Sequence, residues 1–366
     1  MMQAPSRQSM RLAQINIDGS ALTHNLSRVR ASAPNSRIMA VIKANAYGHG
    51  VITAAQHLED ADAFALVVVA EAVELRRAGV TRPLIVLQGF NTPDELQTCV
   101  DHELQPVIHQ PWQAEMLACA TTKPLDVWIK LDTGMHRLGI QAEDAARVYD
   151  QLNAAGTVRT IRFMSHFANA DDPENTLNNS QIESFINVTS EYSAERSMAN
   201  SAAIVALPSS HMDWVRPGIM LYGSSPLLDK SAGELDLKPV MTLTSSLISV
   251  QQIQKGEAIG YGSTWRCPET MPVGVVAVGY GDGYPRHAAT GTPVLVGDQI
   301  CPVVGRVSMD SICVDLRGKD RQGVSVQAGD PVQLWGNELH VDEVAQHAGT
   351  ISYELLCHTG NTAGLV

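Results

Sequence analysis

The sequence predicts an α/β protein: a (β/α)8 TIM-type barrel over residues 1–236, followed by a mostly antiparallel β-strand domain over residues 237–366. Three observations carry this. Up to about Gly223, short apolar runs alternate with helix-like stretches. Several runs, FALVVVA above all, are apolar at every position, as a parallel strand covered on both faces requires. After Pro239 the texture changes to β-rich runs parted by Gly, Pro and Asp-Gly turns, with no long amphipathic helix before Val341–Ala348.

In chain order, the runs that qualify as barrel strands are Arg37–Lys43, Phe64–Ala70, Leu84–Leu87, Leu104–Ile108, Leu125–Leu131, Thr160–Phe167, Arg196–Ser201 and Ile219–Tyr222. Eight strand–helix units suit a closed barrel, and an open doubly wound sheet is the alternative that such alternation also allows. The helices between them carry start and stop marks. Asn91-Thr-Pro-Asp-Glu offers an N-cap, a proline in the first turn and acids near the positive helix end. The stretch Glu71–Gly79 closes with Arg-Arg-Ala-Gly, a basic last turn and a glycine stop. The second domain is assembled from MTLTSSLISVQQI, VGVVAVGYG, TPVLVG, CPVVGRVS, ICVDL and PVQLWG.

Composition narrows the functional classes. With 45% apolar residues in 366, the chain can bury a sizeable core. Its 38 acidic against 26 basic residues give a net charge of −12, which disfavours nucleic acid and anionic membrane surfaces as partners. The segment MMQAPSRQSMRL has no apolar core of a secretory signal, and no apolar run approaches ~18 residues, so a cytoplasmic protein with reduced thiols is expected. The six cysteines and twelve histidines show no metal-ligand spacing, and no metal is expected.

In a barrel enzyme the site lies where the strands end. Lys43 ends the first run and Tyr47 follows in a glycine-bounded loop. A lysine in an apolar barrel mouth has a depressed pKa and is nucleophilic toward a carbonyl, although a lysine snorkelling from an ordinary strand end reads the same locally. The fifth run ends with Lys130, Asp132 and Arg137, and the sixth with His166. Ser201 opens a helix after the seventh, and Arg216, Gly218 and Ile219 accompany the eighth. The loops after strands seven and eight are where barrels often bind phosphate. Each residue alone has a bland reading as an ion pair, a core histidine or a helix cap; the set is harder to dismiss.

The segments AVIKANAYGHG, KLDTGMHRLG, SHFANAD, NSAA, RPGIMLYG, IGYGSTW, VGYGDGYPR, GRVSMD and ISYELLC occur in that order, and together they resemble the bacterial alanine racemases from about residue 12 to Cys357. That resemblance implies a pyridoxal 5′-phosphate enzyme in which Lys43 forms the internal aldimine. It implies that Tyr47, Ser201, Gly218, Ile219 and Tyr353 hold the phosphate, that His166 packs on the pyridine ring and that Arg216 faces the ring nitrogen. An arginine there accepts no proton, which weakens the electron sink and limits side reactions. Racemisation needs a base on each face, and the resemblance supplies Lys43 on one and Tyr261, from the second subunit of a homodimer, on the other. A tyrosine's ordinary pKa of ~10 means that cations such as Arg137 and Arg216, through His166, must assist it.

The likeness further implies that Arg137 and the partner's Met309 N–H hold the substrate carboxylate, with Asp310 in support. It implies that Tyr284 lines the entrance with Tyr261, and that Lys130 sits where relatives often carry a carbamate orienting Arg137. The 237–366 domain would thus serve the partner subunit's site, and the product would be D-alanine for peptidoglycan. Three rivals are weaker. A basic amino-acid decarboxylase of this fold pairs the ring nitrogen with an acid, against Arg216. A broad-specificity racemase is usually exported. A pyridoxal-phosphate carrier lacks the second domain.

Overall fold

The computed structural model of the chain describes residues 12–120, 123–318 and 326–362. Its first strand, β1 (Gln14–Ile17), stands outside the barrel. The next eight close a parallel barrel: β2 (Arg37–Val41), β3 (Ala63–Leu66), β4 (Leu84–Val86), β5 (Gln105–Ile108), β6 (Leu125–Lys130), β7 (Val158–Met164), β8 (Arg196–Ser197) and β9 (Trp214–Val215). The eighth barrel strand is therefore Trp214–Val215 and not the expected Ile219–Tyr222, which winds into a 3-10 turn. Pro217 has no N–H to give to a ladder, so although its carbonyl still accepts the Val41 N–H (2.9 Å) the strand does not run on through it, and Gly223 at φ 83° ends the turn in the left-handed region. A run of four apolar residues does not by itself distinguish a strand from a buried turn.

The helices start where their caps stand. Thr92 Oγ1 accepts the Glu95 N–H (3.1 Å) and Pro93 opens the helix Pro93–Asp101. The FALVVVA strand stops at Leu66 because Val69 already begins the helix Val69–Arg77, whose Glu71 carboxylate takes the N–H groups of Val67 and Val68. The helix Gly19–Ser32 precedes β2 and sends Asn25 Nδ2 to the Leu221 carbonyl (3.0 Å).

Strand alternation sorts the barrel interior into layers. Trp128 on β6 meets Trp214 on β9 edge to face at 5.9 Å, Arg37 lies 4.2 Å over the Trp214 ring, and Arg162 lies 5.6 Å over Trp128. Below this layer charges are paired: Arg162 with Glu195 (2.7 Å), Arg159 with Asp126 (2.8 Å), and Arg37 with Glu195. Even steps along the same strands lead from Arg37 to Lys43, from Trp128 to Lys130, from Arg162 to His166 and from Trp214 to Arg216. Periodicity alone thus delivers four of the expected site residues to the C-terminal mouth.

A second sheet has the order β1, β10 (Met241–Ile253), β13 (Met271–Val276), β16 (Ile312–Asp315), β15 (Gln299–Val304), β14 (Pro293–Val296), β17 (Pro331–Trp335). A short ribbon, β11 (Ala258–Ile259) with β12 (Trp265–Arg266), accompanies it. All these pairings are antiparallel, and β10 is long enough to pair with β1 and β17 through its first half and with β13 through its second. Contacts group the described residues through Gly19, together with Tyr47–Gly50, with those from Lys238 onward; Ser20–Ala46 and Val51–Leu237 form the barrel unit. A single cut at residue 236 therefore misses two pieces of chain. Among the described residues no helix is long and apolar enough to cross a membrane, and no cluster of His, Cys, Asp and Glu suits a metal ion.

Candidate active site

Lys43 follows β2 and begins a turn of the wrong hand. Ala44, Asn45 and Ala46 take φ 54°, 53° and 53°, and Tyr47 continues at 53°. Non-glycine residues in this region cost roughly 1–2 kcal/mol each, and such strain persists only where surroundings impose it. The clamps are visible. Ala46 N–H reaches the Ile42 carbonyl (3.0 Å), Ala44 N–H reaches Glu71 Oε1 (3.0 Å), and Asn45 Oδ1 accepts the Val51 N–H (2.9 Å). Gly48 then runs so close to the C-terminal helix Ser352–Thr362 that a Cβ there would stand 2.2 Å from the Leu356 carbonyl oxygen. Only glycine, at φ +83°, fits.

The barrel mouth carries positive charge with little to balance it. Arg216 is buried, and burial brings its guanidinium down to about 10. It donates to Ser197 Oγ (2.6 Å), to the Met198 carbonyl (3.3 Å) and to the Ser165 carbonyl, and lies 3.4 Å from His166 Nδ1. None of these partners is an acid. His166 is held well below the ordinary imidazole range by burial and then by Arg216, Lys130, Arg137 and Lys43. Its neutral Nδ1 can accept from Arg216. Lys130 is brought down to about 8, by burial first and then by the charges of Arg216, Arg137 and Lys43. Asp132 acts against that shift, but its Oδ1 accepts the Gly134 and His136 N–H groups (both 3.0 Å) and so shapes the loop that presents the exposed Arg137.

Ser201 and Gly218 meet: Ser201 Oγ accepts the Gly218 N–H at 2.8 Å, with the Met220 N–H at 3.5 Å and Ile219 buried between them. Asn200, not Ser201, caps the helix Ser201–Ala206, through the Ala203 N–H (3.0 Å). A hydroxyl and backbone donors from two loops converge here, which is the equipment an anion needs.

In the second unit Tyr47 is buried with its ring 6.0 Å from that of Tyr353. Burial, then Tyr353 and Cys357, push the Tyr47 hydroxyl far above the ordinary phenol value, so it remains a hydrogen donor. Tyr261 is 69% exposed and Met309 55%. They belong to neighbouring turns. A Cβ on Gly262 would stand 3.1 Å from Arg306 Nη1, and the Tyr280 and Gly281 N–H groups bond the Ser308 and Met309 carbonyls (3.1 and 2.8 Å). The exposed Asp310 adjoins Gly281.

Tyr284 requires a correction. Its ring is wholly buried, stacked 6.2 Å from Trp335, and its hydroxyl has no hydrogen-bond partner. It is a core residue and cannot line an entrance. The exposed aromatic of that turn is Tyr280, beside the Met309 loop. Sequence reading passed over it because both tyrosines flank the same Gly-Asp-Gly turn; the signal that separates them is the turn itself, which carries Tyr280 on the near side and returns Tyr284 to the core.

Residues 17–226 match the family model described as alanine racemase, N-terminal domain, and residues 240–364 the alanine racemase, C-terminal domain. An alanine racemase of Nitrosococcus oceani is 49% identical over 350 residues, covering 95% of this chain and 97% of the relative. One from Vibrio parahaemolyticus is 47% identical over 349 residues, covering 95% and 96%. The crystal structure of the biosynthetic alanine racemase from Pseudomonas aeruginosa superposes with a TM-score of 0.93 at 43% identity, covering 96% of this chain and 97% of that one. The Acinetobacter baumannii enzyme follows at 0.89 and 41%, covering 95% and 97%. With both domains matched and near-full coverage throughout, the chain belongs to the alanine racemase family of isomerases.

Proposed function

We propose that this protein interconverts L-alanine and D-alanine with pyridoxal 5′-phosphate, as a cytoplasmic homodimer with shared active sites, supplying D-alanine for peptidoglycan. The observation that carries the reading is the cation layer: Lys43, Lys130, Arg137 and Arg216 around a neutral His166, with Arg216 bonded only to neutral acceptors. Such a mouth calls for anions, and a cofactor phosphate with a substrate carboxylate supplies them.

The residues fit the cofactor. Lys43 provides an amine at a strand end; Ser201, Gly218 and Ile219, with Tyr47 and Tyr353, provide phosphate donors; His166 offers a flat neutral ring. Arg216 offers donors and no acceptor, so nothing at its position protonates the pyridine nitrogen. When bound, pyridoxal phosphate draws electron density from the substrate's Cα and makes the Cα proton removable. Lys43 Nζ removes or returns that proton on one face, and the partner's Tyr261 does so on the other. Arg137 and the partner's Met309 N–H hold the carboxylate, with Asp310 supporting the Met309 loop. Lys130 orients Arg137. A neutral Lys130 amine is the form that adds carbon dioxide, and a carbamate there would set an anion against the guanidinium. Tyr280 takes the place at the entrance.

The test is the optical rotation of L-alanine incubated with purified protein and pyridoxal phosphate. Rotation decays to zero if the reading holds. A yellow protein that leaves it unchanged would move the activity to another amino acid or to decarboxylation. Mixing Lys43→Ala with Tyr261→Phe protein restores partial activity if sites are shared; failure despite subunit exchange refutes the sharing.

A further inference from the structure

His109 stands one residue beyond β5, at the same catalytic rim as Lys43, Lys130 and His166, and no role above uses it. The pairing of β5 with β6 sets Val107 against Trp128 and Ile108 against Ile129, so the next step brings His109 beside Lys130. In a parallel pair, residues in register share a face. Trp128, two residues before Lys130, donates from Nε1 to Gln105 Oε1 (3.1 Å), four residues before His109, and its ring meets Trp214 of the non-adjacent β9 at 5.9 Å, so this shared face is the barrel interior.

The ring of His109 is held firmly. Its backbone N–H goes to Gln113 Oε1 (2.8 Å), and the buried Gln113 is itself anchored through Nε2 to the Phe90 carbonyl (3.0 Å). His109 Nε2 lies 3.0 Å from the Gln88 carbonyl, which requires Nε2 to carry the hydrogen and leaves Nδ1 a bare acceptor. Nδ1 is closed to solvent and has no hydrogen-bond partner. The imidazole is 7% exposed and is kept neutral by burial. On the β6 flank, the Lys130 side-chain nitrogen makes no hydrogen bond or ion pair among the described residues. A buried acceptor without a donor thus adjoins, in register, a donor without an acceptor, and interiors do not leave such groups unmatched without reason.

We propose that His109 is a positioning residue of the racemase site: in the cofactor-loaded enzyme its Nδ1 accepts a hydrogen from the Lys130 side-chain nitrogen, a bond this structure does not make, and so fixes that nitrogen and, through it, the orientation of Arg137. The inference rests on the supporting role proposed for Lys130.

The test compares two amides in the pyridoxal-phosphate-loaded enzyme. The asparagine of His109→Asn places a polar atom where Nδ1 was, whereas the glutamine of His109→Gln reaches only the Nε2 position and keeps the Gln88 bond. His109→Gln is expected to lose about tenfold in kcat/KM, the worth of one buried hydrogen bond, and His109→Asn to stay within about threefold of the parent. In a Lys130→Met background the two should become equal. The opposite order, equal losses in both, or parental activity in both would overturn the proposal, as would a difference that persists without Lys130. Full activity of Lys130→Met alone would remove the Lys130 role and this proposal with it. A weakened Lys130→Met beside indistinguishable Asn and Gln variants removes only the role of His109. Thermal unfolding of each variant separates lost fold from lost positioning.

Discussion

In a Glu71→Gln variant one carboxylate oxygen becomes an amide donor. The carboxylate now accepts three backbone N–H groups: Ala44 at 3.0 Å through Oε1, and Val67 at 3.1 Å and Val68 at 3.4 Å through Oε2. The glutamine can keep one side only, and its NH2 must face N–H groups on the other. Charge-assisted bonds are worth about 1.5–3 kcal/mol each, and the half-exposed setting of Glu71 puts the net loss near the low end, about 2 kcal/mol. For a protein of this size that lowers Tm by roughly 3 °C. The activity should suffer more, because Glu71 holds down the left-handed turn that aims Lys43, and a displacement of ~1 Å at such a group costs up to about a hundredfold in kcat. Adding Ala44→Gly should recover part of the stability. Relief of about 1–2 kcal/mol of left-handed strain, less about 0.5–1 kcal/mol of extra chain entropy, leaves roughly 0.5–1 kcal/mol. Thermal unfolding and polarimetric turnover read both effects. A Glu71→Gln protein with parental Tm and kcat, or an Ala44→Gly change that destabilises further, would refute the clamp.

Other perturbations test separate parts of the account. Tyr284→Phe removes a buried, unpartnered hydroxyl and should leave turnover unchanged while stabilising the fold by up to about 1 kcal/mol, whereas Tyr280→Ala should change KM for alanine; the reverse pattern would restore Tyr284 to the entrance. Lys130 falls from the ordinary lysine value of 10.5 to about 8 in the folded state, so its burial penalty is complete below pH 8 and is relieved as pH rises toward 10.5. The cofactor-free protein should therefore gain stability across that window, by no more than about 3 kcal/mol, and Lys130→Met should abolish the gain and be the more stable protein at pH 7.5; equal slopes by thermal unfolding would contradict this. Gly48→Ala forces a methyl onto the Leu356 carbonyl at a positive φ and should cost more than about 2 kcal/mol, read by chemical denaturation; a neutral substitution would mean the loop and helix are free to part.

The barrel was legible because its strands are short apolar runs with caps between them, and the rim residues because strand parity delivers them. What escaped has physical causes. IMLY and WV are equally apolar, and only the ladder, interrupted at Pro217, tells which is the strand. The four residues QINI of β1 form a strand only against a partner far along the chain. KANAY contains no glycine, so its left-handed turn runs against local propensity at every residue but Asn45 and is held by the Asn45 side chain and by Glu71, which lies outside the motif. The two tyrosines of VGYGDGYPR are equivalent until Trp335 claims one of them. His109 ends its strand run as Lys43 and Lys130 end theirs, but a lone histidine after a proline-bearing run gives no hint that one of its nitrogens lacks a partner.

The pairing of β1 with β10 has a consequence for how the chain is made. Gln14 meets Thr244, 230 residues later, so the barrel is an insertion within the second unit's own strand order. A ribosome adding ~5–20 residues per second keeps β1 waiting roughly 10–50 s for its partner strand. During that time the barrel, with its local contacts, can form, while the second sheet cannot be completed. An N-terminal truncation would accordingly register as failed maturation of the C-terminal sheet, and the order of synthesis makes the barrel the template-independent half of the molecule.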